Sequence, residues 1–94
     1  MSQDSLEPYN LRTTPTVRRA LTEVLPESVA AAAYEFIVGP LLDNPHRVGK
    51  RLLPPLDDRH SARRGTYRVI YRINDKERLV TVVDIAHRRD AYRT

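Results

Sequence analysis

The sequence predicts an α+β fold, in which a helical hairpin packs on one face of a small, mainly antiparallel four-stranded sheet. The first observation is the order in which the hydrophobic patterns occur along the chain. One segment has the two-residue alternation of a strand, two have the spacing of a helix, and three more alternate as strands. The second is position, since both helices precede the antiparallel strands and can cover only one face of the sheet. The order is therefore β-α-α-β-β-β, and the opposite sheet face should be partly open.

The first half of the chain predicts one strand and two helices. Residues 9–13 alternate in a strand pattern, and the Thr-Pro pair at residues 14–15 is a helix-start signal with threonine as the N-cap. Pro26 interrupts the helical pattern and should open a second helix, because proline is tolerated in a first turn. The Gly-Pro pair at residues 39–40 should end or kink that helix. The two helices then form a hairpin with a minimal connection.

The second half predicts a loop and three strands. Prolines and a glycine break the periodicity of residues 43–58, a loop that Leu52 and Leu53 should pin to the core. Strand patterns follow at residues 59–64, 66–73 and 78–86, and should form an antiparallel meander. The run at residues 79–83 is apolar on both faces, so the last strand should be central or well covered.

The strand at residues 66–73 has two chemically different faces. Its aromatic and β-branched side chains alternate with polar ones, so one face should pack on the core. Arg68 should then lie on the open face. The residues expected to be buried are Tyr67, Val69, Tyr71, Val17, Leu21, Phe36 and Ile37.

Charge is distributed unevenly along the 94 residues, whose net charge is +4. Residues 1–45 hold three arginines and six acids, whereas residues 46–94 hold thirteen lysines and arginines and six acids. A localised arginine surface suggests a nucleic acid or an acidic protein as partner, because guanidinium groups match phosphate and carboxylate geometry. The alternative is a basic surface that serves solubility alone.

Composition excludes several other classes of protein. There is no cysteine, so the chain has no disulfide framework and no thiolate nucleophile, which fits a reducing cytoplasm. No stretch approaches the roughly 20 apolar residues of a membrane span, and no signal-peptide core is evident. We expect a single domain over residues 1–94, with residues 1–7 and 93–94 flexible.

The candidate chemistry is metal-free and needs no cofactor. His46, His60 and His87 form no metal-binding pattern, and there is no glycine-rich phosphate loop. A Ser-His-Asp site has no local signal, although the spacing of Ser61, His60 and Asp84 does not exclude one. RNA carries its own nucleophile in the 2′-hydroxyl, so arginines, a histidine and a tyrosine could suffice to cleave it.

Three motifs carry a resemblance to a known family. Arg-Arg-Gly-Thr-Tyr-Arg-Val-Ile-Tyr at residues 63–71 precedes Ala-His-Arg-Arg-Asp-Ala-Tyr-Arg at residues 86–93, and residues 44–52 also fit. Together they resemble the RelE family of toxin–antitoxin ribonucleases, over roughly residues 8–93. The resemblance implies a ribosome-dependent mRNA endonuclease that arrests growth. It also implies a cognate, RelB-like antitoxin, with the ribosome and mRNA as further partners.

The resemblance also implies roles for individual residues. Arg68 matches the arginine that binds and stabilises the scissile phosphate, and Arg88 matches a second arginine of the active site. Tyr92 matches a tyrosine that stacks on a base or orients the nucleophile. Arg63 or Arg64 falls near a position that contacts the RNA backbone.

The motifs do not identify the general base. Lysines stand upstream of these motifs in the family, whereas Arg59 and His60 occupy the neighbourhood here. His60 or His87 could act, since imidazole titrates near neutrality. The predicted catalytic residues are Arg68, Arg88, His87 and Tyr92, and the predicted RNA-binding residues are Arg59, His60, Arg63, Arg64 and Arg89.

Two other functions remain as alternatives. A ParE-type toxin shares the fold and inhibits DNA gyrase without cleaving RNA; the motifs around Arg68 and at residues 87–92 favour the nuclease. A plain RNA-binding domain lacks support, because Tyr67 and Tyr71 should face the core and leave no aromatic stacking platform.

Overall fold

A computed structural model describes residues 7–87 of the chain. The strands are β1 (Asn10–Thr13), β2 (Lys50–Arg51), β3 (His60–Arg64), β4 (Tyr67–Asn74) and β5 (Leu79–His87). The helices are α1 (Pro15–Arg19), α2 (Glu27–Phe36) and α3 (Pro45–Val48), with π-helical segments at Ala20–Val24 and Ile37–Leu41. Residues 1–6 and 93–94, which we expected to be flexible, lie outside the described part. Within residues 7–87, no helix is long and apolar enough to cross a bilayer.

The predicted α+β architecture is confirmed, with one more strand than expected. The sheet has the order β1-β5-β4-β3-β2. Strands β3, β4 and β5 form the predicted antiparallel meander, and β1 pairs with β5 in parallel. The added strand β2 and the short helix α3 lie inside the predicted loop. Their two and four residues are too few to give a periodicity.

The helix boundaries follow the proline and threonine signals. The Thr14 hydroxyl accepts a hydrogen bond from the Val17 amide at 3.3 Å, which caps α1 as predicted. Pro26 precedes the first residue of α2. The predicted kink at residues 39–40 lies in the second π-helical segment. There Pro40 lacks the amide that a regular α-helical turn would use.

The core lies between the helices and one face of the sheet. Tyr67, Val69, Tyr71, Val17, Phe36 and Ile37 are buried as predicted, together with Leu41, Val80, Val82 and Ile85. Leu21 is only half-buried, because it lies beside an open groove between α1 and α2. The prediction that Leu52 and Leu53 pin the loop to the core was wrong. Leu53 keeps 83% of its surface exposed, and the half-buried Leu52 lines a cleft with Ile70 and Val83 and does not pack against the core cluster.

Tyr71 connects the sheet to the segment that follows α2. Its ring is fully buried, and its hydroxyl donates a 2.6 Å hydrogen bond to the Pro45 carbonyl. Burial raises the pKa of Tyr71 to about 12. Gly49 passes so close that a Cβ atom there would lie 2.8 Å from the Ser61 carbonyl oxygen and closer still to the Tyr71 hydroxyl. This attachment holds β2 against the sheet.

We therefore expect Gly49→Ala to lower the free energy of unfolding by about 1–3 kcal/mol, since the backbone of Ser61 cannot move aside cheaply. Gly39→Ala is the matched control, because a Cβ at Gly39 would have no neighbour within 4 Å. The control should be neutral or stabilising, and urea unfolding measures both. Equal losses in the two variants would contradict the proposed close packing.

Candidate nucleic-acid interface

The sheet face opposite the helices carries three rows of side chains, which the strand register defines. The first row joins Arg63 on β3, Arg68 on β4 and Ala86 on β5. Both arginines are exposed, and no carboxylate among residues 7–87 forms an ion pair with either. Like charges directly opposite on neighbouring strands repel each other. This row therefore favours a bound anion that would relieve the repulsion.

The second row joins Ser61, Ile70 and Asp84 across the same three strands, and the exposed Lys50 of β2 pairs with Ser61 at its end. It borders a cleft of about 430 Å³ whose lining consists of Thr16, Leu52, Leu56, Arg59, Ile70, Val83 and Asp84. One oxygen of the exposed Asp84 carboxylate, Oδ1, accepts a 2.9 Å hydrogen bond from the Ile85 amide. That bond fixes the orientation of the carboxylate at the edge of the cleft.

The third row is partly neutralised. It joins Arg72 on β4, Thr81 on β5 and Arg12 on β1. The Asp58 carboxylate lies 3.8 Å from Arg72 Nη1 and, through its other oxygen, 3.8 Å from Arg59 Nε. Arg12 and the Arg63–Arg68 pair, in contrast, have no carboxylate partner within residues 7–87.

Comparisons with known proteins identify the kind of protein that carries this surface. Residues 11–92 match the model of the ParE toxin of type II toxin–antitoxin systems, parDE. The chain is 50% identical to Toxin RelE of Mycobacterium tuberculosis over 93 residues, 99% of this chain and 93% of the relative. It is 48% identical to Toxin RelG of that organism over 86 residues, 92% of this chain and 98% of the relative. The chain belongs to the RelE/ParE toxin family.

A solved structure agrees with this assignment. The fold matches the crystal structure of the toxin–antitoxin complex RelBE2 from Mycobacterium tuberculosis with a TM-score of 0.82 and 46% identity. The match covers 87% of this chain and 100% of that chain. The resemblance inferred from the sequence motifs, and the fold that it implied, are therefore confirmed.

The predicted site residues of this RelE-type toxin divide between the two sheet faces. Arg63 and Arg68 share the first row, and Arg59 lines the cleft beside them. Arg64 instead pairs with Tyr67, and its Cζ lies 4.6 Å from the centre of the Phe36 ring. It is consequently held at the edge of the helix-covered face. Arg88, Arg89 and Tyr92 lie outside the described residues.

A β-bulge places His87 and Asp84. Ile70 pairs with Asp84, but the next residue, Tyr71, pairs with Val82, so Val83 is an extra residue on β5. Strict alternation from the buried Val82 would turn Asp84 inward and His87 outward. With the extra residue the order reverses, and His87 pairs with Tyr67 on the helix-covered side. The register therefore does not bring His87 together with Arg68.

His60 also lies on the helix-covered side, where it pairs with Tyr71. The two rings stack with centroids 5.5 Å apart, and the His46 ring meets His60 edge-on at 5.8 Å. Burial lowers the pKa of His60, and the positive potentials of His46 and Arg51 lower it further. His60 Nδ1 is buried without a hydrogen-bond partner among the described residues. His60 is thus packed into the structure and kept away from the Arg63–Arg68 pair.

The segment that carries His46 is also tied to the turn between β4 and β5. The His46 imidazole lies 2.8 Å from one oxygen of Asp75, and the Tyr9 hydroxyl donates a 2.6 Å hydrogen bond to the same oxygen. The bond from Tyr9 and the bond with His46 lower the pKa of Asp75. These contacts support the edge of the sheet rather than the arginine rows.

Sequence reasoning missed Asp84, Arg12 and Lys50 as members of the open face; Lys50 lies there because β2 pairs with β3. Asp84 follows an apolar run in which alternation cannot be read, and only the bulge turns it outward. The side of Arg12 is set by the parallel pairing of β1 with β5, which joins distant parts of the chain. The alternation of residues 9–13 placed Arg12 on the other strand face from Tyr9 and Leu11, but nothing in the sequence specified which strand would pair with β1.

His60 predicts a pH dependence of stability. In the unfolded chain the His60 imidazole takes up a proton near pH 6.5, whereas in the folded chain its pKa is lower. The free energy of unfolding should therefore fall as the pH drops below about 6.5 toward the lowered pKa. In His60→Gln this component should vanish, so its loss of stability between about pH 7.5 and 5.5 should be smaller. Urea unfolding at several pH values measures this, and identical pH profiles for parent and variant would contradict it.

Proposed function

We propose that this toxin is a ribosome-dependent mRNA endonuclease, an mRNA interferase that inhibits translation and growth. The observation that carries the proposal is the exposed Arg63–Arg68 pair, which has no carboxylate partner among residues 7–87 and lies on the sheet face opposite the helices. The 50% identity to a protein named Toxin RelE supports it. Two guanidinium groups on neighbouring strands suit a phosphate, because each can donate two parallel hydrogen bonds to its oxygens.

The mechanism uses the RNA as its own nucleophile. The 2′-hydroxyl loses its proton and attacks the adjacent phosphate, the bond from phosphorus to the 5′-oxygen breaks, and the departing oxygen takes up a proton, which leaves a 2′,3′-cyclic phosphate. Arg68 stabilises the charge that builds up on the phosphate oxygens. Arg88 assists at the same phosphate, and Tyr92 stacks on a base or orients the nucleophile, as the family resemblance implies. Binding on the ribosome aligns the 2′-oxygen with the bond to the departing 5′-oxygen, which lowers the entropic part of the barrier. The chemistry requires no metal ion.

The general base remains unassigned. His60 and His87 were the candidates, but both lie on the helix-covered side in the strand register. A side chain must come within hydrogen-bond reach of the 2′-hydroxyl to remove its proton. A base that belongs to the ribosome or the message would meet this requirement, and it would also explain why cleavage depends on the ribosome.

Arg68→Ala should lower message cleavage by about 10²–10³-fold and abolish growth arrest, because it removes a preorganised cation from the transition state. Arg88→Ala should behave similarly, and Tyr92→Ala should have a milder effect. Arg72→Ala is the control on the same strand face, and it should weaken RNA association only modestly, since Asp58 already partly neutralises Arg72. Cleavage on programmed ribosomes, with circular dichroism to verify folding, measures all four.

Two results would count against this site. If folded Arg68→Ala cleaves like the parent, the site centred on β4 is wrong. If all four variants lose activity equally, the surface provides only an electrostatic landing area and the chemistry lies elsewhere.

A cognate antitoxin is the expected protein partner. The matched structure from Mycobacterium tuberculosis is a toxin–antitoxin complex. An acidic, amphipathic segment of a RelB-like partner would cover the basic face of this chain and exclude RNA.

Co-expression with such an antitoxin should yield a stable complex whose association slows as salt is raised. Arg63→Ala should reduce that dependence on salt more than Arg47→Ala, which removes an exposed arginine of α3. Gel filtration and stopped-flow binding measure the two properties. The absence of a complex at any salt concentration would overturn the proposed partner.

The second candidate is a ParE-type toxin that inhibits DNA gyrase, and the description of the matched family model favours it. Primer extension on translated message separates the two functions. New codon-linked 5′ ends in the presence of the toxin support the nuclease. DNA damage without such ends supports gyrase inhibition.

A further inference from the structure

The cleft next to the arginine pair has a largely apolar lining. Ile70 and Val83 come from the sheet, and Leu52 and Leu56 from the loop that passes over it. Its volume of about 430 Å³ lies within the range of roughly 300–1,000 Å³ that is usual for small-ligand pockets. Leu56 keeps 43% of its surface exposed, so the cleft is open to a ligand from solvent. The cleft is large enough for a nucleobase, whose flat ring could pack against the apolar side chains.

The polar residues of the cleft are Thr16, Arg59 and Asp84, and Asp84 supplies its carboxylate. Asp84 accepts one hydrogen bond from the Ile85 amide through Oδ1, and no other hydrogen bond to its carboxylate is formed within residues 7–87. An ionised carboxylate has about four acceptor positions and no donor. Asp84 can therefore accept further hydrogen bonds from a ligand in the cleft, but cannot donate one.

The position of the cleft points to RNA as the source of the ligand. Ile70 follows Arg68 by two residues on the same strand face, a separation of about 7 Å. A phosphate on the Arg63–Arg68 pair would thus place a base of the same or the adjacent nucleotide within reach of the cleft. Proteins that recognise single-stranded RNA bind its unstacked bases individually.

We infer that this cleft holds one unstacked nucleobase of the message and that Asp84 selects guanine there. The inference rests on the proposed nuclease function and adds a specificity-determining residue to it. Guanine presents two adjacent donors, N1–H and N2–H, that match the two oxygens of a carboxylate. Adenine and cytosine present one amino group beside an acceptor nitrogen, and uracil presents one N–H between two carbonyl oxygens that a carboxylate repels.

The test measures binding, independently of cleavage. The ligands are fluorescent uridine pentanucleotides whose central base is guanine, adenine, cytosine or uracil, with 2′-deoxy sugars to prevent cleavage. Fluorescence anisotropy at low salt should show that the parent binds the guanine ligand about 5- to 150-fold more tightly than the uracil ligand, the selectivity expected of a bidentate contact. Asp84→Asn should bring this ratio close to one, because an amide replaces one acceptor with a donor.

Matched controls separate selectivity from charge and packing. Asp43→Asn makes the same chemical change at an exposed site on the helical side and should keep the parent ratio. Leu56→Ser should weaken all four ligands together, whereas Leu53→Ser should weaken none, because Leu53 is exposed outside the cleft. Circular dichroism verifies the fold of each variant.

Equal affinities of the parent for all four ligands, or an unchanged ratio in Asp84→Asn, would overturn the inference. It would also fall if Asp84→Asn altered only antitoxin binding, since the cleft would then serve the protein partner. A different result would show that the proposed nuclease function is wrong while the guanine site is right. The parent would produce no new message ends, while the guanine preference and its loss in Asp84→Asn would remain.

Discussion

The alternation of β4 is the constraint on which the other features depend. Tyr67, Val69 and Tyr71 are buried against the helices, so the intervening Arg68 has to point to the uncovered face. A one-residue slip of this strand would expose the core and bury the arginine, which makes the register strongly specified. The position of the cation is therefore set by the burial of its neighbours. The hydrophobic core and the arginine site are two sides of the same strand.

The bulge at Val83 exchanges the inward-facing and outward-facing positions of β5. Before it, Val80 and Val82 are buried; after it, Ile85 is buried and Asp84 is exposed. Bulges are frequent next to functional sites, where they redirect a side chain. Here the bulge supplies a carboxylate to a face otherwise dominated by arginine. The resulting surface combines exposed arginines with a carboxylate that can accept hydrogen bonds.

The large elements could be predicted from the sequence because each has a clear local cause. Thr14 caps α1, Pro26 precedes α2, and the alternation around Arg68 fixes the two faces of β4. These signals arise from neighbouring residues, and the resemblance to RelE toxins agreed with all of them. The exposure of Arg68 was predictable for the same reason, whereas the phosphate-binding role of Arg63 and Arg68 stays a prediction that rests on one recognisable motif.

The remaining features depend on contacts between distant segments. Strand β2 exists because Lys50 and Arg51 pair with β3, and two residues carry no periodicity of their own. The extra residue at Val83 lies in an apolar run, where inward and outward positions look alike. Neither candidate base shares a sheet face with Arg68, because His60 stacks on Tyr71 and the bulge turns His87 to the helix-covered side.

The central claim is that the Arg63–Arg68 pair is a phosphate site prepared in advance, and that RNA binding relieves the repulsion between its two charges. The most direct measurement is the urea unfolding of the parent, Arg63→Ala, Arg68→Ala and the double variant at low salt, with and without an uncleavable RNA. Without RNA, each single substitution should leave the free energy of unfolding unchanged or raise it. With RNA, the parent should gain more stability than any variant. Destabilised single variants, or equal gains from RNA in all four proteins, would contradict the account.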